Sequence, residues 1–149
     1  LKREVHPDIS AEVKDGNIKF VTFNDVFNEK AFVRLMIEKK GEIIFKPKDV
    51  EKKEIEIEIT SQELLKKSES EIYEIQKNEN ELKENGTKIE INRSTKAPIS
   101  RLKPKVIDIF QLVMNYNDIG KVLDNSALSD VETYRILSFL LNNKFILKR

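Results

Sequence analysis

The chain contains no cysteine and no tryptophan, a single histidine (His6), and only four glycines and four prolines in 149 residues. Without cysteine there is no disulfide, no thiol nucleophile and no cysteine-ligated zinc. One histidine removes His dyads, multi-histidine metal sites and histidine-activated nucleophiles. None of the glycines falls in a GxGxxG or GxxxxGK spacing, so no phosphate-cradling loop is present. No apolar run approaches the ~18–20 residues that cross a bilayer, and no short apolar core follows a basic start. These absences point to a cytoplasmic protein without a membrane partner. The chain opens on Leu1 rather than Met, and it is expected to be part of a longer protein.

What is present is charge. Lys and Arg number 27 against 26 Asp and Glu, for a net charge of +1. That balance gives no global attraction to nucleic acid or membrane, so any such case must rest on local patches. Carboxylates recur in pairs, as at Glu54/Glu56/Glu58 and Glu69/Glu71, but they sit among lysines and read as solvated faces. General acid–base chemistry needs a carboxylate held in an apolar pocket. No D-x-D-x-D-G calcium loop occurs. No catalytic residue, metal or cofactor is therefore expected.

The hydrophobic periodicity predicts an α+β fold: a small mixed or antiparallel sheet with packed helices, and a C-terminal three-helix, winged-helix-like unit. Ile9–Val13 and Asn17–Phe23 alternate around Asp15-Gly16, a strong hairpin signal. Phe27, Ala31 and Leu35 then share a helical stripe, with Asn28 as N-cap and Gly41 as the C-terminal stop. Glu42–Phe45 reads as a short buried strand, closed by the 46–53 connector. In "EIEIEI" (Glu54–Ile59) the isoleucines and glutamates take opposite faces of a strand. The period changes at Thr60, whose spacing to Glu63 fits a capping box. The helix it starts reaches Ile75 or Leu82, with Gly86 as terminator.

Thr87–Asn92 is one more expected strand. Arg93–Lys105 holds two prolines, five basic residues and no acidic one, and reads as a linker. Domains are accordingly expected at 1–92 and 106–149. Within the second, Val106–Tyr116, Asp118–Ser126 and Ser129–Asn143 read as helices and Phe145–Arg149 as a terminal strand. That order is the order of a winged helix.

Residues Asp15-Gly16, Ala31, Leu35, Gly41-Glu42-Ile43-Ile44-Phe45, Thr60, Glu63, Leu64-Leu65, Glu71 and Glu74-Ile75 together resemble the latter part of the bacterial PATAN-type signalling domain. Val106–Ile146 is similar to the small winged-helix tail that follows it in such proteins. The early strands and first helix of that family are absent or only partly present before Ile9, and its arginine-rich helix segment is replaced here by "KKSESEIYEI". The resemblance implies a non-enzymatic adaptor or output module in bacterial signalling or motility regulation. The expected partner is a protein, of the response-regulator or small-GTPase type, or a second copy of the chain.

Two binding surfaces follow. Leu65, Ile72, Ile75 and Leu82 lie at three-four spacing on the long helix and could seat a partner helix. The competing use of that stripe is packing on the chain's own sheet, which leaves Leu82 as the member free for a partner. The alternative function is DNA binding through Arg93, Lys96, Arg101, Lys103, Lys105 and Arg135. Against it, the expected recognition helix begins with Asp130 and Glu132, and Arg135 is its only cation.

Overall fold

The computed structural model describes residues 7–38, 41–47, 55–84 and 86–149. The fold is α+β, with five α-helices and two small antiparallel sheets among the described residues. Its contacts divide the chain into two compact units, Leu1–Ile72 and Tyr73–Arg149.

In the first unit, strand β1 (Ile9–Lys14) pairs with β2 (Asn17–Phe23) around a turn whose central residues, Asp15 and Gly16, both have positive φ, 52° and 77°. That backbone twist matches the strands it joins, and glycine adopts it without penalty. The register skips Lys19, because Glu12 pairs with Phe20 and Val13 with Ile18. A two-residue strand, β3 (Val26–Phe27), returns antiparallel to the end of β2. Asn24 turns this corner at φ 52°, and its side chain and N–H both bond the Asp8 backbone.

Helix α1 (Asn28–Ile37) starts without a side-chain cap. Asn28 is not its N-cap. It is left-handed at φ 57°, and its amide donates to the Ile55 carbonyl at 3.2 Å. Phe27, expected on the buried stripe with Ala31 and Leu35, lies instead in β3 and is 57% exposed. The helix ends at Ile37, ahead of the expected glycine stop at Gly41. Val21, Val26, Ala31, Phe32, Ile57 and Leu64 form the core, with Ile18, Phe23, Leu35 and Ile59 against it.

The two expected strands after α1 are both corrected. Residues 41–47 have no regular structure, and residues 48–54, which include most of the connector and Glu54, lie outside the described residues. The "EIEIEI" run keeps its alternation in part, with Ile57 buried and Ile55 exposed. It forms no ladder: Ile57 N–H donates to the Lys19 carbonyl at 2.8 Å, the position left over by the β2 register shift. One such bond does not make a strand.

Helix α2 (Ser61–Lys83) begins where the capping signal placed it. The Glu63 N–H donates to Thr60 Oγ1 at 3.2 Å, and Ser61 clips the start to the hairpin. Its hydroxyl accepts from Ile18 N–H and its own N–H donates to Asn17 Oδ1. Leu64 is 1% exposed beneath this start. Ser68, also buried, satisfies its hydroxyl on the Leu64 carbonyl at 2.7 Å.

The second unit contains the end of α2, then β4 (Ile89–Ile91), α3 (Pro104–Tyr116), α4 (Ile119–Asn125), α5 (Asp130–Asn142) and β5 (Ile146–Lys148). β4 pairs antiparallel with β5, Ile91 opposite Ile146. The strand at 89–91 therefore belongs with the C-terminal helices, and the contacts do not divide the chain at Asn92. Nor is 93–105 all linker: Ile99–Arg101 make a 3₁₀ turn and Pro104-Lys105 open α3, with proline at a position that needs no N–H. Ile89, Ile109, Val113, Ile119, Val122, Leu137, Leu140 and Ile146 are each 1% exposed or less and form the centre of this unit. Ser129 caps α5 by accepting from Glu132 N–H at 3.2 Å, as its spacing predicts.

Candidate functional site

Segment 41–47 carries the largest apolar exposure among the described residues. Ile43 is 95% exposed, Ile44 71% and Phe45 83%. Their neighbours are Glu42, Lys46 and Pro47. Isolated exposed apolar side chains are ordinary, but three in succession make an exposed apolar run that is unusual for a protein surface. The flanking charges and proline oppose edge-to-edge aggregation of such a run. The run was expected as a buried strand. The signal against a strand here is Pro47, which interrupts any ladder.

The α2 stripe is divided in its burial. Leu65 is 42% exposed, Ile72 is half-buried, and Ile75 and Leu82 are 4% and 7% exposed. Leu82, expected to be left for a partner, is instead core. A helix stripe at three-four spacing packs on its own fold whenever that fold can cover it, and here only Leu65 keeps substantial exposed surface.

The cations expected to meet DNA fall into two groups. Arg135, on α5, donates from Nε and Nη2 to the two carboxylate oxygens of Glu74, both at 2.6 Å. This bidentate hydrogen bond holds the Glu74 carboxyl below its ordinary range, against weaker desolvation. Lys105 lies 3.7 Å from Glu132. The expected recognition helix thus has its cation paired, and its first turn contributes Asp130 and Glu132. Arg93, Lys96, Arg101 and Lys103 are exposed, and no ion pair joins them to the described residues. Comparison with protein-family models, curated proteins and solved structures finds no match for this chain.

Two polar clusters in the second unit are structural in geometry. Lys83 Nζ lies 3.0 Å from Glu79, one helical turn earlier. Burial works to lower the Lys83 ammonium, but the Tyr134 and Glu79 oxygens outweigh it and raise it overall. Tyr134 is 2% exposed, and its phenol is raised chiefly by desolvation. Asp118 caps α4 by accepting from Lys121 N–H at 3.1 Å, and it also accepts from Thr87 Oγ1 at 2.8 Å and from Lys88 at 3.2 Å. Desolvation pushes its carboxyl up, but these three donors together hold it below its ordinary value.

Asp118 joins the approach to β4 with the α3–α4 corner, where Ile119 N–H bonds the Thr87 carbonyl and Ile89 N–H the Asn117 carbonyl. Its depressed pKa contributes stability that is present above the unfolded carboxyl value and lost as pH falls through the folded one. Asp118→Asn is therefore expected to flatten the acid limb of the stability–pH curve below about pH 4. Asp118→Ala is expected to cost about 1–2 kcal/mol at neutral pH through loss of the cap. Urea denaturation across pH 3–7 checks both, and an unchanged acid limb in Asp118→Asn would count against this role.

No group of three or more carboxylate or histidine side chains suited to a metal occurs among the described residues. No helix among them is long and apolar enough to cross a membrane.

Proposed function

We propose that the chain is a non-enzymatic interaction module of bacterial signalling, an adaptor that docks a partner protein through Ile43, Ile44 and Phe45. The observation that carries this reading is the exposure of three successive large apolar side chains, each at 71% or more. The same Gly41–Phe45 run is among the residues that resemble the PATAN-type domain. Its backbone has no hydrogen-bond partner among the described residues, so it is suited to joining the edge of a partner's sheet, with alternate side chains filling pockets. A cytoplasmic signalling protein of the response-regulator or small-GTPase type, the partner that the PATAN resemblance implies, fits this reading.

Buried apolar anchors carry most of the energy of an interface, commonly 2 kcal/mol or more each. Each of Ile43→Asp and Phe45→Asp should therefore weaken partner binding by about thirtyfold or more, and the double variant by more than either. The test is capture from extract of the native host by the wild-type chain and by this variant, followed by mass spectrometry. The expected result is a signalling protein captured by the first and lost from the second. Equal capture by both would sink the proposal. Sedimentation of the chain alone reads the other occupant, a second copy, as concentration-dependent association that the same variant abolishes.

A further inference from the structure

We infer that the second unit carries a strip of cations that grips the phosphate backbone of duplex nucleic acid, and that this strip, not helix α5, is its nucleic-acid contact. The inference is independent of the partner-docking reading, since it uses other residues in the other unit.

The strip is built on the two-stranded sheet and the chain that leaves it. Asn92, the residue after β4, donates its backbone N–H to the Phe145 carbonyl at 2.9 Å and its side-chain amide to the Lys144 carbonyl at 2.7 Å. These two bonds fasten the start of the basic segment to the turn before β5. Arg93 therefore leaves the sheet beside Lys144, which is exposed and turns the chain at φ 61°. Further bonds shape the segment that follows: Ser94 N–H to Asn92 Oδ1, Thr95 N–H to the Asn92 carbonyl, and Ala97 N–H to Thr95 Oγ1. The 3₁₀ turn at Ile99–Arg101 then leads into α3, which packs on β4. A basic stretch that composition alone marks as linker is thus tied down by its own hydrogen bonds.

The charges along it are available. Arg93, Lys96, Arg101, Lys103 and Lys144 are all exposed, none has an ion pair with the described residues, and no acidic residue lies between Arg93 and Lys105. Elsewhere in the unit the basic residues that approach carboxylates are paired: Arg135 with Glu74, Lys88 with Asp118, Lys83 with Glu79 and Arg149 with Glu90. In a chain of nearly neutral net charge, the 93–103 segment is thus a local run of positive charge with no carboxylate paired to it among the described residues. Phosphate contacts need cations and ordered backbone rather than base-reading side chains, so the expected binding is insensitive to sequence. A bilayer surface is the less suitable occupant, because the strip has no aromatic residue and Ile99, 42% exposed, is its one large apolar side chain in solvent.

The experiment titrates the full chain into a fluorescently labelled 20-base-pair duplex of arbitrary sequence at stepped salt. With about four phosphates neutralised, log K should fall with log salt at a slope of about −3.6, a loss of about 150-fold between 50 and 200 mM. The variant Arg93→Gln/Lys96→Gln/Arg101→Gln/Lys103→Gln should bind at least about tenfold more weakly at 50 mM, with a flattened slope. Arg135→Ala should bind as the wild type does. Circular dichroism melting confirms that each variant is folded, and the single Arg93→Gln and Lys103→Gln changes give the same reading with less perturbation. Absence of duplex binding at 50 mM salt overturns the inference. So does a quadruple variant that binds undiminished, or an Arg135→Ala loss as large as the quadruple one. Capture by phosphatidylserine vesicles without duplex binding also overturns it, assigning the strip to a membrane surface.

Discussion

Leu64→Asp is expected to abolish cooperative unfolding of the first unit, while Leu65→Asp one residue later leaves it nearly unchanged. Both leucines open α2 and both belong to the same sequence motif, but Leu64 is 1% exposed and Leu65 is 42% exposed. Leu64 packs with Val21, Val26, Ala31, Phe32 and Ile57, so it joins the hairpin, α1 and the irregular 55–59 stretch in one core. A carboxylate among these apolar side chains must be either desolvated or protonated, at a cost on the order of 4 kcal/mol or more. At position 65, just past the first turn of the helix, the carboxylate stays in water. The change there should stay within about 0.5 kcal/mol. Hydrogen exchange of the β1 and β2 amides reads the difference. Equal loss of protection in the two variants would mean that α2 does not start with this face inward.

The second large effect lies in α5. Leu137→Ala should destabilise the second unit by about 2–5 kcal/mol, measured by urea denaturation, because the side chain is fully buried and its removal leaves a cavity. Arg135→Ala, on the exposed side of the same helix, should cost about 1 kcal/mol or less, although its ion pair with Glu74 is bidentate and short. The contrast tests what α5 is for. If its exposed face were the working surface, Arg135 would have to leave Glu74 to act. If the helix is chiefly a packing element, its energetic weight sits at Val131, Tyr134, Leu137 and Leu140, all 3% exposed or less. A Leu137→Ala chain as stable as the wild type would contradict that assignment.

Helices whose ends carry chemical punctuation were legible from the residues alone. Thr60 and Ser129 each accept the N–H three residues on, and α2 and α5 begin there. Asp15-Gly16 likewise specified its hairpin, since few residue pairs adopt two successive positive φ angles. Elements that depend on a distant partner were not legible. The two-residue β3 is too short to show a period, and it displaced Phe27 from the helix expected to bury it. Glu42–Phe45 has strand composition, yet no described strand pairs with it, and strand propensity without a ladder leaves the run in solvent. The pairing of β4 with β5 spans the whole three-helix segment, and it moved 89–91 out of the unit that its place in the chain suggested.

The candidate surfaces divide in the same way. That Arg93–Lys103 is basic and acid-free could be read directly, because composition is local. That Arg135 and Lys105 are neutralised could not, because Glu74 stands 61 residues from Arg135 in the chain and only folding brings them together. The stripe Leu65, Ile72, Ile75 and Leu82 was correctly placed along one helix by its spacing. Which members it buries depends on what the rest of the fold lays against that helix.

For this protein the sequence by itself determined the α+β class, the two main capping sites, the tight hairpin and the position of its unbalanced charge. Each of these follows from interactions within a few residues along the chain. Only the tertiary structure decided that Ile43, Ile44 and Phe45 face solvent, that Leu82 does not, and that the cation of α5 is already taken. Burial and ion pairing are properties of what arrives from elsewhere in the chain, and periodicity carries no record of that.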